Sequence, residues 1–319
     1  MTTNSQPGTN SGTSPRLRVG SAPDSWGVWF ADDSRQLPWH QFLDELVAAN
    51  YEWLELGPYG YLPTDPSRLN DEVAKRGLRV SGGTVFGALH RRDQWEDCVT
   101  TARSVARLTA GVNARHLVFI PPLFRDPKSG EFTEPPQLDD DGWKTLTRSA
   151  NEIGKMLLQE YNVHLQFHPH ADSYVETQAD IERLLDGTDP RYVALCLDTG
   201  HVAYGGGDSV ALIRNFPDRI GYVHIKQVSP TVLNEVREHK LSFGEAVTRG
   251  VCVEPPYGIP AVADVAGALK AIDADLFVIV EQDLYPCDPD VPLPIAKRTR
   301  QILRACGLGA EHQHAARRK

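Results

Sequence analysis

The residues able to do chemistry in this sequence stand at the ends of short apolar runs. Tyr192-Val-Ala-Leu-Cys-Leu197 leads into Asp198, and Thr199-Gly200 then brings His201 three residues on. Residues 163–167 lead into His168-Pro-His170, residues 219–225 carry His224 with Lys226 behind it, and residues 276–280 end at Glu281. Two earlier runs offer Glu55 and lead to His90. Runs of this kind are of buried-strand type. A carboxylate or imidazole at the end of one can ligate a cation or move a proton. Taken singly, Asp198 also suits a turn cap and each histidine a hydrogen-bonded core position. Four such groups on four consecutive run ends are hard to explain by packing, because burial without a partner costs several kcal/mol. A shared divalent cation would offset that cost.

The elements that must position these groups alternate. Strands are expected at 18–22, 53–56, 78–82, 114–120, 163–167, 192–197, 219–225 and 276–281. Helices are expected at 39–50, 66–76, 93–110, 139–161, 177–185, 209–216, 261–272 and 295–306, with a Pro-rich loop at 121–137 and an irregular insertion at 227–258. Eight strand–helix pairs predict parallel βαβ units. In about 290 residues they predict a single-domain α/β protein, a (β/α)8 TIM barrel over 17–307, between loose tails at 1–16 and 308–319. The alternative, an open dinucleotide-binding sheet, lacks a GxGxxG after its first strand. In a barrel, chemistry gathers at the C-terminal strand ends, which turns the scattered residues into one set: Asp198, His224, Glu281 and a group from strand five. Mixed N/O ligation with two carboxylates suits Mn²⁺, Co²⁺, Zn²⁺ or Fe²⁺ better than Ca²⁺.

Composition narrows the partners. A formal net charge of −9 disfavours a nucleic-acid backbone. No apolar run is long enough to span a bilayer. The five scattered cysteines, odd in number and without CxxC spacing, fit reduced thiols in a cytoplasm. Self-association is left open.

Four segments carry a resemblance: Phe167-His-Pro-His170, Leu195-Cys-Leu-Asp-Thr-Gly-His201 after Gly187-Thr-Asp-Pro190, Asp218-Arg-Ile-Gly-Tyr-Val-His-Ile-Lys226, and Val280-Glu-Gln-Asp283. The chain resembles the xylose-isomerase-like TIM-barrel superfamily of sugar isomerases, epimerases and dehydratases, and most of all its inosose dehydratases. The likeness covers mainly 160–285, with a weaker match over 22–56. It implies one divalent metal, Mn²⁺ or Co²⁺ first, with Zn²⁺, Fe²⁺ or Mg²⁺ as alternatives. The superfamily holds its metal by Glu, Asp, His and Glu from strands five to eight, and the last three match Asp198, His224 and Glu281. Where many members have the strand-five glutamate this chain has Gln166. His168 is the first choice for the fourth ligand, with Gln166 or His170 as substitutes. The segment near the end of the insertion, Glu254-Pro-Pro-Tyr-Gly-Ile259, also departs from the dehydratase pattern.

The implied chemistry is removal of a proton next to a carbonyl, the step shared by dehydration, epimerisation and aldose–ketose isomerisation, with the metal stabilising an enediolate. His170, His201 and Glu55 are the expected bases, and Lys226 is expected to bind an oxyanion or protonate a leaving hydroxyl. Trp26, His90, Gln166 and Tyr204 are expected to contact a sugar or cyclitol. Two rival classes are a metal-dependent endonuclease, against which the acidic charge and the few histidines speak, and a non-catalytic sugar-binding barrel, against which the retained Asp/His/Glu set speaks.

Overall fold

The computed structural model describes residues 17–272 and 274–309. Its strands are β1 (Leu17–Ser21), β2 (Trp53–Glu55), β3 (Arg79–Phe86), β4 (His116–Ile120), β5 (His164–Phe167), β6 (Val193–Asp198), β7 (Ile220–Ile225), β8 (Gln227–Val228), β9 (Cys252–Val253) and β10 (Leu276–Val280). Eight of them close into a parallel barrel in the order β1-β10-β7-β6-β5-β4-β3-β2. The expected (β/α)8 barrel is the fold. The expected tail at 1–16, and residues 310–319 of the one expected at 308–319, lie outside the described residues. Leu308, expected in the C-terminal tail, is fully buried against the core, and Arg300 donates to its carbonyl.

Strand alternation sorts the side chains into two cores. Leu165, Phe167, Leu195, Leu197 and Val223 point outward under the helices. Val118, Cys196, Tyr222, Phe277 and Ile279 point inward and fill the barrel, so it is a packed interior and not a pore. The same parity carries Asp198, His224 and Lys226 inward, stacked above Cys196 and Tyr222.

The expected irregular insertion is ordered. β8 and β9 pair antiparallel, and between them lie helices Pro230–His239 and Phe243–Thr248. Ser229 caps the first of these, and Ser242 and Glu245 form a capping box on the second. Serine before Pro230 and serine three residues before Glu245 are helix-start signals readable in the sequence. A separate apolar cluster, including Ala171, Val228, Leu233, Val236 and Phe243, fixes the insertion over β5–β7. Asp172 ties it down, accepting from the Phe243 backbone N–H at 2.6 Å.

Candidate active site

β6 ends where Asp198 divides its two oxygens. Oδ1 accepts from the backbone N–H of Gly200 at 2.7 Å and of His201 at 2.8 Å, capping the short helix Thr199–Tyr204. Oδ2 is buried and, among the described residues, makes no hydrogen bond, facing instead the Lys226 ammonium at 3.2 Å. Asp198 therefore caps the helix through one oxygen and turns the other toward His168, His224 and Lys226. Thr199 locks β6 to β7: its hydroxyl donates to the Lys226 carbonyl at 2.7 Å and accepts from the Lys226 N–H at 3.0 Å. Gly200 is required beside it, because a Cβ there would overlap the Lys226 stem.

Around Asp198 Oδ2 the other groups converge. His168 Nε2 lies 3.5 Å away and His224 Nδ1 3.8 Å away, and His224 Nδ1 is 3.0 Å from Glu281 Oε2. One ligand atom from each of His168, Asp198, His224 and Glu281 falls within 4.8 Å of the others. Both ring nitrogens of His168, Nδ1 of His224 and Oδ2 of Asp198 are buried without hydrogen-bond partners among the described residues. One nitrogen or oxygen from each of these four residues, gathered this closely and, in His168, Asp198 and His224, left short of hydrogen bonds, fits a cation that accepts mixed N/O ligation. His224 is oriented from behind by Glu55, whose Oε2 accepts from Nε2 at 2.8 Å and whose Oε1 accepts from Thr84 at 2.6 Å. Glu55 therefore lines the cavity but is already committed, unlike the free base expected of it.

Lys226 is the one ammonium in this cluster. Its Nζ lies 2.8 Å from Asp283, 3.2 Å from Asp198 Oδ2, 3.2 Å from Glu281 Oε2 and 3.2 Å from His201 Nε2. Burial favours the neutral amine, yet Asp198, Asp283 and Glu281 together hold its pKa well above the usual lysine value. Burial likewise opposes ionisation of Glu281, but His224 and Lys226 bring its pKa down to about 2. His170 and His201 lie with ring centroids 3.9 Å apart. Burial, then the neighbouring His168, lowers His170 to about 4. Burial, His170 and Lys226 hold His201 well below the usual range. Both are neutral imidazoles at neutral pH.

These groups open into a cavity of about 410 Å³. His168, His170, His201, Lys226, Glu281 and Glu55 line it, as do three residues the sequence did not single out: Asp24, Trp29 and Asp283. Both oxygens of Asp24 are buried without a hydrogen-bond partner among the described residues. Burial, reinforced by Glu281 and Asp283, raises its pKa well above the carboxylate range. Trp29 Nε1 donates to Asp283 at 2.9 Å and so steadies the partner of Lys226. The turn Pro23–Trp26 after β1 carried the signal for Asp24, but nothing in its spacing said which residue faces inward.

Four expected substrate contacts are corrected. Trp26 does not line the cavity; it is buried edge-on against Phe42, and its Nε1 donates to Glu45. Gln166 lies one inward layer below His168, where its amide meets His116 at 3.1 Å and where it lines a depression at the other end of the barrel. It is therefore also not in place as a substitute ligand. His90 is tied to Glu134, which also accepts from Arg91 and Tyr174, and braces the 121–137 loop. Tyr204 packs edge-on behind Phe243, the residue that reaches the cavity in its place.

A family model described as xylose isomerase-like TIM barrel matches residues 43–306. A curated inosose dehydratase from Geobacillus kaustophilus is 31% identical over 295 residues, spanning 90% of this chain and 94% of that protein. Among solved structures, an IolI protein with a bound zinc atom superposes with a TM-score of 0.66 at 15% identity, over 91% of this chain and 98% of that one. An L-ribulose 3-epimerase does so with a TM-score of 0.66 at 18% identity, over 95% and 100%. Among the described residues, no helix is long and apolar enough to cross a membrane.

Proposed function

The chain belongs to the xylose isomerase-like TIM-barrel family, and from that membership we propose that it is a divalent-metal-dependent lyase acting on a keto-polyol, of the inosose dehydratase type. The observation that carries this is the convergence of His168, Asp198, His224 and Glu281 on one point at the cavity floor. These four would hold the metal, Mn²⁺ or Co²⁺ by choice of donors, with Zn²⁺ the ion bound by the IolI neighbour. When bound, the metal supplies Lewis-acid stabilisation of negative charge on the substrate oxygens.

The chain's own residues move the protons. His170, whose Nδ1–H donates to the Ala171 carbonyl and leaves the lone pair on Nε2, is the base for the hydrogen next to the carbonyl. His201, whose Nδ1 accepts from the Ala171 N–H, carries its proton on Nε2 and orients the His170 ring. Lys226, held charged, is the acid for the departing hydroxyl. The His170 ring centroid lies 3.9 Å from that of His201, whose Nε2 Lys226 Nζ approaches to 3.2 Å, so base and acid stand on one side of the cavity, as removal of H and OH from neighbouring carbons on one face of the substrate requires. Epimerisation needs two groups on opposite faces of one carbon, and Glu55, across the cavity, is taken by His224 and Thr84. The geometry therefore favours elimination over the epimerase alternative. Asp24, which lines the cavity and whose pKa burial raises, is placed to hydrogen-bond a substrate hydroxyl.

The test is incubation of manganese-loaded protein with an inosose in D2O, following product mass and deuterium together. Loss of one water per turnover supports elimination. Deuterium uptake without mass loss moves the assignment to isomerisation. Glu281→Gln should abolish both while leaving the circular dichroism spectrum unchanged, because a barrel-mouth carboxylate contributes little to core packing.

A further inference from the structure

The cavity has two chemically different halves. Its deep half is made of buried polar groups, among them Glu55, Thr84, His168, His201, Lys226 and Asp283. Its outer half is bounded by Phe30, Phe86, Leu123 and Pro58, with Trp29 and Phe243 at the join. Phe86, the last residue of β3, is 52% exposed. A large aromatic left in solvent at the mouth of a site calls for a partner more than a scattered surface hydrophobe does.

The polar residues of the outer half are already engaged. Arg125 donates to the carbonyls of Gly130 and Lys240, and its guanidinium covers Phe132. Asp126 accepts from the backbone N–H groups of Lys128 and Ser129. Lys128 Nζ lies 4.8 Å from the Phe30 ring centroid, and the slot itself is walled by apolar side chains; a second sugar ring there would bury hydroxyls without partners, which costs more than it gains. The cavity, about 410 Å³, falls in the size range of sites for drug-sized ligands, which leaves room for a substituent beyond the polar half.

We infer that the substrate is a keto-polyol bearing an apolar, planar substituent, with the polyol in the deep half and the substituent between Phe30, Phe86 and Leu123. This rests on the functional reading above and sharpens it, from a bare cyclitol to an aryl glycoside of a keto-sugar or its chemical equivalent. Burial of an aromatic ring in such a slot contributes enough for a tenfold or larger gain in affinity.

The experiment is titration calorimetry of the manganese-loaded full chain with the methyl and phenyl glycosides of one keto-hexose, and with an unsubstituted inosose. The phenyl glycoside should bind at least tenfold tighter than the methyl glycoside. In the Phe86→Ser, Leu123→Ser double variant that ratio should fall below threefold, while methyl glycoside affinity changes by less than threefold. Both positions are surface-accessible, so the barrel core is untouched, and circular dichroism checks this. Equal affinity for the two glycosides overturns the inference, as does a parallel loss of both affinities in the variant. Binding of the inosose with exclusion of both glycosides overturns this inference and leaves the functional reading standing. Failure of all three ligands overturns both.

Discussion

His224 donates a 2.8 Å hydrogen bond from Nε2 to Glu55, while its Nδ1 faces Asp198 and Glu281. The carboxylate holds the proton on Nε2, so that a metal bound at Nδ1 would displace only the proton on the nitrogen that points at the other ligands. It also makes the ring more basic. Glu55→Gln should therefore weaken metal affinity by about tenfold, and Glu55→Ala by up to a hundredfold, read by competition with a chromogenic chelator. An unchanged affinity in both variants would mean that the ring is held by packing against Tyr222 alone.

Lys226 makes a prediction with two opposite signs. Its Nζ shares Asp198 Oδ2 and Glu281 Oε2 with any cation bound there. Removal of the ammonium frees those oxygens. Lys226→Met should bind manganese at least as tightly as the wild type, while turnover falls by about 10²-fold or more for want of the acid. Metal affinity and kcat measured on the same preparation decide the matter. A fall in both would make Lys226 a structural partner of the carboxylates and not a proton donor.

What the sequence made legible follows from which constraints are local. The barrel was readable because each strand carries its own apolar run and each helix its own periodicity. The inward positions of Asp198, His224 and Lys226 follow from the alternation of β6 and β7, a property of the chain itself. Glu55 was visible as a strand-end carboxylate, but its commitment to His224 depends on two strands that are distant in sequence and face each other across the barrel interior. Gln166 and His168 shared a face, as strand parity requires, yet two residues of rise put them in different layers. The Pro23–Trp26 turn hid the most, because a 3-10 turn re-aims successive side chains in a way that period-two reasoning cannot follow.

That turn gives a paired test. Trp26 is 1% exposed and locked on Phe42 and Glu45. Trp29, three residues on, stacks on Tyr285 and holds Asp283. Trp26→Ala should cost about 3–5 kcal/mol of stability, as for other large buried aromatics, with KM unchanged in the protein that still folds. Trp29→Phe keeps the stacking surface but loses the N–H donor to Asp283. It should cost little stability and lower kcat/KM several-fold. Denaturant unfolding and steady-state kinetics on both variants separate the two roles. Equal effects of the pair on KM would show that Trp26 reaches the substrate.

Glu176 sets a pH dependence of stability that is independent of the reaction. It sits just before the helix Gln178–Gly187, accepting from the Asp172 N–H at 3.1 Å. Burial first, then the nearby Asp172 and Asp180, raises its pKa from 4.5 to about 7. The folded state therefore prefers the neutral acid. That preference stabilises the fold fully below pH 4.5, and it is lost as pH rises through the folded-state value near 7. Above that, the charged group must sit where burial disfavours it. Glutamine keeps the acceptor for the Asp172 N–H and never ionises. Glu176→Gln should accordingly match the wild type near pH 4.5 and exceed it at pH 8 by roughly 2–3 kcal/mol, a rise of several degrees in Tm. Urea unfolding of both proteins at the two pH values checks this. The same difference at both would show that Glu176 stays ionised in the folded chain.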